Sequence, residues 1–124
     1  MLPVQESDSP AVTYTTAMLH DLSCPIHCLG YDYIILAVTR YTKGDMQSLS
    51  KELYPYIAER YGYADWHPVE RSIRTAICHG WVNGDSLVWN RYFPNTEKAP
   101  SNKLFIAALA ERLQQNTPPE IERG

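Results

Sequence analysis

The chain has 124 residues, a net charge of about −3 and three cysteines. That is enough for one domain with its own apolar core, and an odd cysteine count argues against a disulfide framework and for a reducing cytoplasm. No apolar run approaches the roughly 18 residues that a membrane span needs, residues 1–9 lack the layout of a signal peptide, and the charge balance is not that of a generally basic nucleic-acid binder.

Residues 1–13 are polar to acidic and contain two prolines, Pro3 and Pro10; they read as a disordered leader or the stub of a linker. Thr15 or Thr16 can cap a first helix with Met18, Leu19 and Leu22 on its apolar side, and the stretch around Pro25 breaks it. A second helix is expected from about Gly30 to Tyr41, with Tyr33, Ile34, Ala37 and Val38 inward, followed by a turn at Lys43-Gly44-Asp45. Apolar residues repeat at three and four, and no long alternating run marks a strand, so the fold class is all-α.

The most informative segment is Leu49 to Trp81. Leu49, Leu53, Ile57 and Tyr61 recur at helical spacing, and Gly62 is a natural stop. Val69, Ile73, Ala76, Ile77, Gly80 and Trp81 then form the apolar stripe of another helix. Two helices joined by so short a link pack at a steep angle, as in a helix-turn-helix. Glu70, Arg71 and Arg74 lie off the stripe, near the start of the second helix, where such a unit meets the DNA major groove. Arginine there can fork onto guanine, and glutamate can accept from a cytosine amine. Glu70 and Arg74 also stand at i, i+4, the spacing of a helical ion pair. His67 and Thr75 extend this expected contact set, with Lys51 and Lys43 as candidates for the phosphate backbone. From Lys43 to Arg91 six bases face six acids, so binding would depend on where charges sit rather than on a positive field.

Beyond Trp81 the signals weaken. One short helix is expected around Leu87 to Tyr92, then a last helix capped by Ser101 or Asn102, with Phe105, Ile106, Leu109 and Leu113 on one side. Residues 14–115 would form the folded domain and 116–124 a flexible tail.

His20, Cys24, His27 and Cys28 bunch too irregularly for a zinc site, which wants paired ligands on separated elements. Cys78 and His79 are adjacent on a helix, where neighbours do not face each other. No nucleophile–base set or phosphate loop is evident. No metal, cofactor or enzymatic activity is expected. Tyr63 and Trp66, in the turn, either meet a phosphate–sugar edge or seal the helix pair.

Several short strings stand out in order: Leu19-His20-Asp21-Leu22 with Pro25, His27 and Gly30-Tyr31; Leu53-Tyr54-Pro55 with Ile57-Ala58; Val69-Glu70-Arg71 with Ile73-Arg74, Ala76-Ile77 and Trp81; and Pro100, Asn102 and Phe105-Ile106-Ala107. Together they resemble the C-terminal effector domain of the sporulation response regulator, the stage 0 sporulation protein A family. The likeness runs from about Thr15 to Leu113. It implies a compact bundle of about six helices with a helix-turn-helix, of the winged-helix-like response-regulator effector kind, whose fourth helix reads a short G/C-containing box. It implies double-stranded DNA as partner, often bound as tandem copies, contacts to RNA polymerase sigma subunits, and Glu70, Arg71 and Arg74 as recognition-helix residues. The chain departs from the family in a turn one residue longer (Gly62 to His67), in Pro68 where the family has a base-contacting arginine, and in a shorter Asp85 to Ala99 loop. The family's receiver domain is not in this sequence, which reads either as an excised effector domain or as a stand-alone relative, and the leading Met1 favours the second. The reading is a sequence-specific transcription regulator in the cytoplasm; the alternative is a protein-interaction module of the same fold, an antagonist of a sigma factor or of a full-length relative.

Overall fold

The computed structural model describes residues 9–44 and 46–116. Six α-helices follow one another: α1 Pro10–Asp21, α2 Leu29–Lys43, α3 Tyr54–Arg60, α4 His67–Asn83, α5 Ser86–Tyr92 and α6 Asn102–Asn116. A π turn at Leu49–Leu53 runs directly into α3. The described residues contain no strand, so the all-α bundle stands and no β wing flanks the helix pair. The expectations of a leader at 1–8 and a tail at 117–124 fall outside the described residues.

The first helix starts earlier than a cap at Thr15 or Thr16 implies, taking 10–13 from the expected leader. Ser9 caps it, accepting from the Val12 amide at 3.1 Å, and Pro10 at the first helical position gives up an amide that has no helical partner there. Thr15 is wholly buried and returns its hydroxyl to the Ala11 carbonyl at 2.8 Å.

Helix α2 is the spine. Its run from Tyr33 to Val38 is buried on nearly every side, because α1, α4 and α6 all pack around it. It ends on Gly44, whose φ of 87° is the left-handed cap that a residue without a Cβ adopts without strain.

The π turn widens the backbone just before α3. The Leu53 amide reaches the Ser48 carbonyl at 3.0 Å, five residues back. Glu52 folds back to accept from the amides of Gln47 and Ser48, both at 2.9 Å, while Ser48 accepts from Lys51 at 3.3 Å. This closes the helix start in the manner of a capping box. Gly62, at φ 76°, turns the chain out of α3 as expected.

The apolar stripe of α4 lies where its spacing places it: Val69, Ile73, Ala76, Ile77 and Gly80 are buried, and Trp81 is half-buried at the edge. Gly80 lets the α1–α2 connection pass close by, since a Cβ there would stand 2.6 Å from the Leu22 carbonyl. Trp89 of α5 donates its indole N–H to the Gly80 carbonyl at 3.0 Å and belongs to a ring cluster with Trp81, Phe93 and Phe105. Phe105, Ile106, Leu109 and Leu113 of α6 close the core.

Candidate nucleic-acid interface

The start of α4 is built from the turn upward. Asp65 accepts from the His67 amide at 2.8 Å and from His67 Nδ1 at 3.0 Å. These bonds, the amide first, hold its carboxyl below the ordinary value. Pro68 occupies the second helical position, where a missing amide costs nothing in helical bonds. His67 stacks on Trp66 at 4.2 Å, and Trp66 leans on Tyr54 at 5.3 Å, so an aromatic ladder runs from the core to the exposed helix start.

The turn from Gly62 to Trp66 is fastened as well. The hydroxyls of Tyr63 and the wholly buried Tyr33 are hydrogen-bonded to each other, and both rings pack on Tyr61. Burial, first, and this bond raise the Tyr33 phenol above its ordinary value. Tyr63 and Trp66 thus seal the helix pair, one of the two roles their position in the turn allows.

Glu70, Arg71 and Thr75 are exposed on α4, as is His67 at its start. Two grooves border this face. One is lined by Ser50 and Tyr54 with Glu70, Arg71 and Arg74 and by Ser101 to Lys103. The other runs between α2 and α4, past Leu29, Gly30, Pro68, Ser72 and Thr75. Arg71 lines both and so forms the ridge between them. An α-helix flanked by two clefts is the relief that a major groove and its two phosphate walls would fit.

Arg74 departs from the sequence reading. It is half-buried, and its Nη1 donates to the Pro100 carbonyl at 2.6 Å and, more weakly, to Asn102 Oδ1 at 3.4 Å. The loop before α6 holds the guanidinium, in place of the helical pair with Glu70 that the spacing suggested. Asn102 is itself buried, and its amide donates to the Tyr54 hydroxyl at 3.1 Å and to the Glu70 carbonyl at 3.2 Å.

The lysines divide. Lys51 is exposed on the π turn, next to the groove-lining Ser50. Lys43 ends α2 thirteen residues beyond Gly30, where α2 meets α4, which is roughly 20 Å along the axis; it is not gathered with the α4 residues. Lys103, absent from the sequence reading, stands at the groove, donates to the Gln47 carbonyl at 2.8 Å and lies 5.2 Å from the Tyr41 ring centre. Its only signal in the sequence was a cation just after a cap.

The His20–Cys28 bunch disperses. Burial, chiefly, pushes the Cys24 thiol up to about 12, whereas His20 and His27 are exposed. Among the described residues no three of His, Cys, Asp and Glu come together to hold a metal, and no helix is long and apolar enough to cross a membrane.

The family described as sporulation initiation factor Spo0A C terminal matches residues 15–113. That span includes every helix in full except the ends of α1 and α6. The helix-turn-helix, the exposed arginine on its second helix and the six-helix order all lie within it. This chain belongs to the Spo0A C-terminal family, the DNA-binding effector domain of the sporulation response regulator, which acts on transcription.

Proposed function

We propose that the chain is a sequence-specific transcription regulator that lays α4 in the major groove of duplex DNA and acts in the cytoplasm. The carrying observation is Arg71, exposed in the second turn of α4 on the ridge between two grooves. Its fork would take the O6 and N7 edge of a guanine, with Glu70 tuning the choice and His67 and Thr75 alongside. Lys51 would meet a phosphate. Arg74 would contribute less than its spacing suggests, because Nη1 is already committed to Pro100. Tandem copies on DNA and a sigma subunit as partner are part of the same reading.

Selection from a random duplex library, followed by anisotropy titration, tests this. Arg71→Ala should weaken the selected duplex by about 1–3 kcal/mol, the worth of one bidentate base contact, and binding should fall steeply with salt. Unchanged affinity and selectivity in Arg71→Ala would remove that residue from the assignment.

A second reading has its own support. Val82 and Leu87 are 77% and 72% exposed, beside a groove formed with Trp81 and Trp89, and Pro68 offers no donor to a base or phosphate. These features favour a protein-interaction module that binds a sigma subunit or a relative. No binding to any duplex at low salt, together with tight binding to such a partner, would select it.

A further inference from the structure

The core could be filled without Asn102. It is 8% exposed at the first position of α6 and joins three elements. Its Nδ2 donates to the Tyr54 hydroxyl on α3 and to the Glu70 carbonyl on α4, while its Oδ1 accepts from Arg74. Arg74 is in turn braced by the buried Pro100 carbonyl, immediately before α6. A buried amide with its donors and acceptor all matched selects one arrangement where apolar packing would tolerate several. Two of these bonds end on α4 one turn apart, at Glu70 and Arg74, and Arg71 lies between them.

We infer that Asn102 is a positioning residue for sequence reading. Without touching DNA it sets the rotation and tilt of the first turns of α4, with Arg74 as its strut, so that Arg71 meets a base edge and not the backbone. The inference rests on the DNA-binding reading above. A contact displaced by about 1 Å loses its bidentate geometry but keeps its charge. Failure of the pin should therefore lower selectivity more than general affinity.

The experiment compares Asn102→Ala, Asn102→Asp and Tyr54→Phe with the unaltered protein. Each is titrated against a duplex selected by the unaltered protein and against a scrambled duplex of equal length, with a melting curve for each variant. Asn102→Asp is included because a carboxylate in the first turn suits a helix start, so it should fold where alanine does not. It keeps an acceptor for Arg74 but sets an oxygen against the Glu70 carbonyl.

Both Asn102 variants should lower the selected-to-scrambled affinity ratio by about tenfold, within the range of one bidentate base contact, with scrambled-duplex binding and its salt dependence retained. Tyr54→Phe, which breaks only the bond that does not end on α4, should leave the ratio unchanged while lowering the melting temperature. An unaltered ratio in a folded Asn102→Asp protein overturns the inference. So does an equal loss in Tyr54→Phe, which would make the cluster a general brace. If the unaltered protein prefers no duplex at all, the DNA-binding reading has failed instead, and its own titration reveals this before any variant is made.

Discussion

Gly30 at the start of α2 lies so close to Ser72 of α4 that a Cβ on Gly30 would stand 2.1 Å from the Ser72 carbonyl oxygen. Helix against helix, this is backbone meeting backbone, and no side chain can rotate away to make room. Gly30→Ala should destabilise the fold by about 1–3 kcal/mol, the usual range for overpacking, read as a lower midpoint in urea. The same shift would push α4 outward near Arg71, so duplex binding should weaken in the variant even where it is fully folded.

The Asp65 carboxyl accepts from the first amide of α4, and its folded-state value lies below its ordinary 3.8 because the His67 amide and ring donate to it. A depressed acid stabilises the fold above its unfolded value, and that stabilisation is lost as pH falls through the folded value. Asp65→Asn should therefore melt below the unaltered protein at neutral pH. The gap should close as pH drops below 3.8. Paired melting curves from pH 7 downward check this, and a gap that persists at the lowest pH would contradict it.

Trp89 is 2% exposed and gives its indole N–H to the Gly80 carbonyl. Trp89→Phe keeps an aromatic ring but removes the only donor that ring carries. The Gly80 carbonyl still accepts from the Gly84 amide at 2.7 Å, so the expected loss is about 0.5–1.5 kcal/mol, the net worth of one hydrogen bond, with an unchanged slope in denaturant unfolding because the surface exposed is the same.

Cys24 should be the slowest of the three thiols. It is buried against Gly80, and its thiol is pushed up to about 12, so almost no thiolate exists at pH 8 to attack an alkylating reagent. Brief iodoacetamide treatment of the native protein, read by mass spectrometry of peptides, should label Cys28 and Cys78 before Cys24. All three should react alike in denaturant.

What could be read in the sequence follows the range of each signal. The stripe of α4 rests on neighbours three and four apart, and its five residues from Val69 to Gly80 are buried as the spacing requires. Trp81 is half-buried only because the stripe reaches the bundle edge there. The start of α1 was hidden by composition: Ser9-Pro10 looked like more of an acidic leader, although serine followed by proline is also how a helix begins. The π turn leaves no mark in apolar periodicity, since it alters only which carbonyl an amide reaches. The fate of Arg74 was beyond local reasoning, for its partner Pro100 lies 26 residues away. Lys103 and Asn102 enter the site by the same long-range route.

An arginine held by the neighbouring loop shortens the word its helix can spell. On the reading proposed above, one outward guanidinium distinguishes a base pair by about 1–3 kcal/mol, while a genome offers roughly a million or more rival addresses. Such a reader needs company: its choice of gene would rest as much on what already occupies the neighbouring stretch of chromosome as on the letters beneath it.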